Sequence, residues 1–212
     1  MYYKPKNGYH GQFSTDVLIE LYFLEKKAGV CVEVGVANGT KGSNTLYFEK
    51  LGWKTLCIEP NPVYAKKAAE VRDKVVCCAC ASKNQKNVPF TVFDIGKNNI
   101  MSSLSGLRPD KRLLETHGHL INKQYEIHVE LKTLDDILED ASFPPDIDFI
   151  SIDTEGTELD VLKGISFDKW NIALLVVENN FNDSNIEEYL SACGYKKDTR
   201  WKINDFYTKE VK

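Results

Sequence analysis

Val32-Glu33-Val34-Gly35-Val36-Ala37-Asn38-Gly39 decides the fold, read together with Cys57-Ile58-Glu59-Pro60-Asn61. In each stretch a short apolar run meets an acid, and the first breaks into a glycine turn. A strand, a glycine turn and a second strand ending in an acid outline a nucleoside-binding site at the carboxyl ends of parallel strands. A dinucleotide fingerprint, G-x-G-x-x-G, is not met: counted from Gly35, its second glycine falls on Ala37 and its third on Thr40. What remains is E-x-G-x-x-x-G over Glu33, Gly35 and Gly39. A carboxylate at Glu33 would repel a pyrophosphate. It suits a ligand bearing an ammonium and a sulfonium, so the turn favours S-adenosylmethionine over NAD. Glycines let the backbone turn tightly and pass close to such a ligand. Glu59, at a strand end, can accept both ribose hydroxyls. The competing reading is an ordinary strand-to-helix turn with a solvated acid, which explains the glycines better than it explains the glycines together with Glu59.

Outward from this turn the chain alternates strands with helices. Residues 15–27 read as a helix capped by Ser14 or Thr15, with Val17, Leu18, Leu21, Tyr22 and Leu24 on its apolar face. Strands are expected at 30–34, 54–58, 75–81, 88–93, 126–131, 147–152 and 172–177. Helices are expected at 43–51, at 62–72 with Pro62 in the first turn, at 133–138 capped by Thr133, at 159–163 and at 185–192. A closing hairpin spans 195–197 and 205–208. The pattern predicts an α/β fold, a doubly wound, mostly parallel seven-stranded sheet with a C-terminal antiparallel hairpin. One domain covers residues 1–212, with an N-terminal helical segment at 1–28. The polar stretch 94–124 has little periodicity and reads as a substrate loop or lid.

With 212 residues, 42% hydrophobic and 27% charged, the chain is long enough for a full core. A net charge of −4 supplies no overall basic footprint for nucleic acid, although Arg108, Lys111 and Arg112 form a local patch. The cysteines Cys31, Cys57, Cys77, Cys78, Cys80 and Cys193 lack the paired spacing of a zinc site and suit a reducing compartment. No apolar run is long enough for a membrane span, and residues 1–6 lack the apolar core of a signal peptide, so a cytoplasmic location is expected.

Along nearly its whole length the sequence resembles the FkbM family of S-adenosylmethionine-dependent methyltransferases. The resemblance is carried by Gly11-Gln12-Phe13-Ser14-Thr15-Asp16, the turn from Glu33 to Gly39, Gly42-Ser43-Asn44-Thr45, Gly52-Trp53 and Ile58-Glu59-Pro60-Asn61-Pro62. It continues in Met101-Ser102-Ser103-Leu104 and Thr133-Leu134-Asp135-Asp136-Ile137. It is most specific in Asp148-Phe149-Ile150-Ser151-Ile152-Asp153-Thr154-Glu155-Gly156-Thr157-Glu158, followed by Val161-Leu162-Lys163-Gly164. The resemblance implies a class I methyltransferase fold. It also implies a methionine-end contact around Glu33 and Gly35, a ribose contact at Glu59, Asn61 near the adenosine, Ser82 near adenine, and Asp153 facing the methyl donor or acceptor. Val36, Asn38, Gly39 and Pro60 complete the expected cofactor shell, and Gln12 and Asp16 are candidates to close over it. The chain departs from the family at Val36-Ala37-Asn38, where Ala-Asn more often follows the first glycine directly.

Methyl transfer needs alignment and exclusion of water, and a base only for a poor nucleophile such as a hydroxyl. Asp153 is the first candidate base or acceptor-orienting group and Glu155 the second. Against them stand a helix N-cap at Asp153 and a dipole-favoured carboxylate at Glu155. Asp153, Glu178 and Asn179 also form an oxygen-rich trio that a hard divalent cation could use, the less favoured reading. His117 and His119 are alternative bases or plain loop residues, and Ser102 and Ser103 shape the acceptor pocket or an ordinary turn. The early aromatics Tyr2, Tyr3, Tyr9, Phe13, Tyr22 and Phe23 read as core, or otherwise as a lid or a face pairing two copies in a homodimer. The acceptor class, a hydroxyl on a sugar, glycan or secondary metabolite, follows from the resemblance alone. An NAD-linked oxidoreductase and a catalytically silent binding module are the alternatives.

Overall fold

The computed structural model describes residues 8–24, 26–94, 105–107 and 109–210. Seven strands form the main sheet: β1 (Val30–Val34), β2 (Lys54–Ile58), β3 (Val75–Val76), β7 (Asp146–Ile152), β8 (Asn171–Glu178), β9 (Tyr195–Trp201) and β10 (Asn204–Lys209). Their order is β3-β2-β1-β7-β8-β10-β9. β1 runs parallel to β2 and β7, β2 to β3, and β7 to β8, while β10 is antiparallel to both of its neighbours. The fold is the doubly wound, Rossmann-like sheet that the alternation of elements implied.

Side chains alternate across the strands, so each strand supplies two faces. Val32, Val34, Leu56, Ile58, Ile150, Ile152, Leu175 and Val177 meet α5 (Leu134–Asp140), α6 (Glu158–Leu162) and α7 (Ser184–Ala192) in one core. On the other face Cys31, Phe149, Leu174, Val176 and Phe206 meet Ile19 of α1 (Thr15–Tyr22), Phe48 of α2 (Leu46–Lys50) and Trp53. The remaining helices are α3 (Pro62–Ala69) and α4 (Lys111–His117). The central parallel strands β1, β7 and β8 are thus covered on both sides, which is why these segments read as near-continuous apolar runs.

Several boundaries differ from the sequence reading, for physical reasons. α1 ends at Tyr22, not Lys27, and Leu21 and Leu24 are 57% and 66% exposed. The face it buries is set by Asp16 and Ile19, because Asp16 is anchored by the backbone N–H groups of His10 and Gly11. Ser14 occupies the cap position with φ +63 and no side-chain cap bond, and the Thr15 hydroxyl donates to the Gln12 carbonyl instead. α2 begins only at Leu46, because Ser43, Asn44 and Thr45 direct their donors at Glu33. By contrast, Asn61 caps α3 at Pro62 and Thr133 caps α5, in the manner their sequences call for.

The expected strand 75–81 is split. β3 stays on the main sheet, whereas β4 (Ala79–Cys80) pairs with β6 (Lys123–Lys132), which also pairs with β5 (Gln85–Asp94). These three form a separate sheet, β4-β6-β5, not foreseen from the sequence. Within 94–124, α4 is capped by Asp110 and is followed by a 3-10 turn at Gly118–Leu120. Arg112 is paired with Asp110 and Asp183. Arg108, Ser102, Ser103, Tyr2 and Tyr3 lie outside the described residues. Tyr22 and Phe23 join the core against Phe206 and Trp53, and Tyr9 stacks on Tyr47 at 4.2 Å.

Candidate active site

The carboxyl ends of β1, β2 and β7 open into a cavity of about 360 Å³. Its floor is the glycine turn. Gly35 has φ +88, and a Cβ placed there would lie 1.7 Å from the Asp153 carbonyl oxygen. Only glycine lets the turn after β1 touch the loop after β7. Gly35 and Val36 both donate N–H to the Ile58 carbonyl, which ties the same turn to β2. Gly39 has φ +81 and abuts Ala68 of α3. Asn38 serves the turn itself, its Oδ1 accepting the Thr40 and Lys41 N–H groups and the Thr40 hydroxyl. Val36 lines the cavity; Asn38 and Gly39, expected in the cofactor shell, are outside the lining and belong to the turn itself.

Glu59 follows β2 and is 6% exposed. Its two oxygens accept N–H from Ala37 at 2.8 Å and Asn61 at 2.9 Å, which fixes the carboxyl group in the cavity wall. Burial pushes its pKa up to about 7, against the pull of those two N–H donors. Pro60 and Asn61 line the cavity beside it, with Tyr64 of α3. Ser82, expected near adenine, is exposed and outside the lining. Cys78, Ala79, Cys80 and Phe90 form the wall there, because the chain at β4 leaves the main sheet before Ser82 is reached. Gln12, with Gly11 and Phe13, closes the opposite wall. Asp16 holds that segment in place through the His10 and Gly11 N–H groups without itself lining the cavity.

Glu33 stands differently from the expectation. Its backbone lies in β1, but its carboxylate accepts from the Ser43 hydroxyl (2.7 Å), the Asn44 N–H (2.7 Å), the Thr45 hydroxyl (2.6 Å) and Arg72 Nη1 (3.3 Å). A carboxylate so fully engaged by protein donors organises the cavity wall rather than presenting charge to it. Arg72 is the residue that sequence reading missed. It is 5% exposed and also reaches Glu49, the Ser43 and Thr45 hydroxyls and the Gly39 carbonyl. The available signal was the acid inside a buried strand, which demands a buried cation.

At the end of β7, Asp153 donates its N–H to the Val34 carbonyl. The next residues are not helical: Glu155 has φ +58 and Gly156 φ +111. α6 begins at Glu158, whose carboxylate accepts from the Thr154 N–H, the Thr154 hydroxyl and the Gly156 N–H. Asp153 is therefore not a helix cap, Glu155 is not in a first helical turn, and Glu158 clamps the loop that presents both. Asp153 and Glu155 line the cavity, with Glu178 of β8 behind them. Burial, the Glu158 and Glu33 charges and close approach to Glu178 bear on Asp153, and the net effect raises its pKa. Glu178 is raised too, first by burial and then by Asp153, so this pair holds a proton well above the ordinary carboxylate range. His117 and His119, on α4 and the 3-10 turn, do not line the cavity.

A parallel sheet with an antiparallel end, a glycine turn after β1 and a fixed acid after β2 define a Rossmann-like nucleoside-cofactor fold. The methyltransferase FkbM domain matches residues 33–197. The chain therefore belongs to the FkbM methyltransferase domain family, and its cofactor is S-adenosylmethionine. It is 34% identical over 90 residues to methyltransferase sdnD of Sordaria araneosa, covering 39% of this chain and 34% of that protein. It is 30% identical over 83 residues to methyltransferase 1 of Beauveria bassiana, covering 39% of this chain and 30% of that protein. The chain spans about a third of the length of these curated relatives. It is also similar to the precorrin-6y C5,15-methyltransferase of Geobacter metallireducens, with a TM-score of 0.49 at 12% identity, covering 100% of this chain and 94% of that one. The donor set fits the cofactor: one anchored carboxyl group at Glu59 for two hydroxyls, the apolar Cys78-to-Cys80 wall for a flat base, and a glycine floor where a side chain would fill the space. No helix among the described residues is long and apolar enough to cross a membrane, and the six cysteines are free.

Proposed function

We propose that this chain transfers a methyl group from S-adenosylmethionine to a hydroxyl oxygen of a sugar, glycan or secondary metabolite. The observation that carries the cofactor site is Glu59, a buried carboxyl group pinned by two backbone N–H groups and facing the cavity. When bound, the cofactor supplies a sulfonium methyl for in-line displacement. Glu59 holds the ribose hydroxyls. The apolar wall excludes water and the glycine floor sets the depth of the reacting carbon. Asp153 meets the acceptor, where a carboxylate of raised basicity serves a hydroxyl better than it would a ready nucleophile. Glu155 stands beside it at the cavity edge.

Calorimetric titration with S-adenosylmethionine, its demethylated product and NAD tests the assignment. The first two bind, NAD does not, and Glu59→Ala weakens them about a hundredfold, as loss of two charge-assisted hydrogen bonds requires. Retained affinity in that variant, or binding of NAD alone, would reject the reading. Tight binding with no turnover on any hydroxylated acceptor would support a silent module instead.

Binding is also expected to be pH-linked. Glu59 keeps its proton up to about pH 7 in the cavity, against 4.5 ordinarily. Its neutral form favours the ligand-free fold fully below the ordinary value, and that contribution, about 3 kcal/mol, fades as pH rises through the folded one. Ribose hydroxyls donate to the ionised form, so ligand uptake near about pH 6 should release close to one proton and tighten toward about pH 8. Calorimetry in buffers of different ionisation enthalpy measures this release. Uptake with no proton exchange would mean that Glu59 does not face the hydroxyls.

A further inference from the structure

We infer that Phe13 is a stacking platform for the methyl acceptor, and that the acceptor is a saturated ring with hydroxyls on its rim, a pyranose or a cyclitol. The inference rests on the methyl-transfer reading and narrows its acceptor. Phe13 lines the cavity and is 39% exposed. It joins none of the apolar clusters of the described residues, whereas Tyr22 and Phe23 pack against the one around Phe149.

The backbone that presents this ring is held against its preference. Phe13 has φ +56 and Ser14 φ +63, the left-handed region that a bulky side chain avoids. Such a conformation persists only where the surroundings over-determine it, and it is concentrated at functional sites. Three elements impose it here. Trp201, at the end of β9, donates its indole N–H to the Phe13 carbonyl at 2.8 Å. At the start of α1, the Thr15 hydroxyl donates to the Gln12 carbonyl, and the Ser14 N–H to the Gly11 carbonyl. In the loop after β1, the Gly42 N–H donates to the His10 carbonyl and the Gly42 carbonyl accepts the Gln12 N–H. An aromatic residue is thus fixed in a strained turn although its ring supports no core.

Its place in the cavity fits an acceptor of one chemistry. Glu59 follows β2, and Cys78, Ala79, Cys80 and Phe90 form the wall on the nucleoside side. Phe13 is on the opposite wall, tied to β9, which lies beyond β7 and β8 in the sheet. The lining supplied by Gln12 and by Asp153, Thr154, Glu155 and Thr157 of the loop after β7 is polar. The Gln12 side chain has no hydrogen-bond partner among the described residues, so its amide has both donors and its acceptor to offer. An aromatic acceptor would call for apolar surface on both of its faces, and this side of the cavity supplies one. A saturated polyhydroxylated ring matches it: its axial C–H groups meet the negative face of the phenyl ring, and its rim hydroxyls meet the polar groups, one of them at Asp153.

Saturation-transfer NMR on protein loaded with the demethylated cofactor tests the platform. The probes are methyl β-glucopyranoside, methyl β-galactopyranoside and myo-inositol, with sorbitol as the open-chain counterpart. At least one cyclic probe should bind, with the strongest transfer to the C–H protons of a single ring face, and sorbitol should not. A pyranoside alone assigns a sugar or glycan end; inositol alone assigns a cyclitol. Phe13→Asn should weaken the bound ring about tenfold or more, and Phe13→Tyr should hold it within about threefold. Asparagine accepts positive φ, so Phe13→Asn should also melt about 2–4 °C above wild type. A fall in its melting temperature would make Phe13 a packing residue and overturn the inference. So would cofactor-loaded wild type that binds no cyclic probe, equal binding in Phe13→Asn, or sorbitol bound as well as the rings. If wild type fails to bind the demethylated cofactor, the methyl-transfer reading falls and the platform with it; cofactor binding without ring binding removes the platform alone.

Discussion

Arg72→Met is expected to destabilise the protein by about 3–5 kcal/mol, the cost of leaving a buried charge without its partner. The guanidinium is fully enclosed and bonds both Glu33 and Glu49, whose side chains are 6% and 7% exposed. Removing it strands two carboxylates under the glycine turn and frees the Ser43 and Thr45 hydroxyls that order the start of α2. Urea unfolding followed by circular dichroism measures the loss. The double variant Arg72→Met with Glu33→Gln should recover part of it, since neutralising Glu33 removes one stranded charge. A single variant within about 1 kcal/mol of wild type would show that solvent reaches this network and that Arg72 is not its keystone.

Gly35→Ala should be at least as damaging. The new methyl group would meet the Asp153 carbonyl oxygen at 1.7 Å in a backbone conformation, φ +88, that alanine avoids. The obstacle is backbone, so no side-chain rotation relieves it. Either the turn leaves β2 or the loop after β7 retreats, and each movement dismantles the cavity floor. The expected outcome is loss of cofactor binding together with a lower melting temperature by several kcal/mol equivalent. Gly52→Ala is a fair control, because a Cβ there has open space although φ is +91. Equal effects of the two substitutions would mean that backbone strain alone, and not contact with Asp153, dictates glycine at position 35.

The parallel sheet was legible in the sequence because its strands are buried on both faces and announce themselves as apolar runs closed by acids and glycines. The cavity was legible where backbone sets it, at Gly35, Glu59 and Asp153. It was not legible where long-range partners set it. Nothing local in Lys67-to-Asp73 says that Arg72 folds beneath Glu33, since the contact spans a helix and a turn. Nor does the run Val75 to Ala81 reveal its break, because its hydrophobicity is continuous and only the choice of partner strand changes. Ser82 was misplaced for that reason. Leu21 and Leu24 mislead similarly: helical spacing marks them as an inward face, while the anchoring of Asp16 rotates α1 to bury Ile19.

The break after β3 has a mechanical consequence. Ala79, Ala81, Phe90, Val92, Val129 and Leu131 form an apolar cluster of their own, distinct from the one beneath the parallel strands. The two-residue β4 faces both ways: Cys80 is sunk in the larger cluster and Ala79 in the smaller. The cavity thus has a foundation and a hanging wall joined at a narrow seam. Substitutions in β5 and β6 can reshape the chamber beside the nucleoside while the strands that carry Gly35, Glu59 and Asp153 keep their register. The fit around the nucleoside can therefore be retuned from the hanging wall while the foundation that fixes the rest of the site stays still.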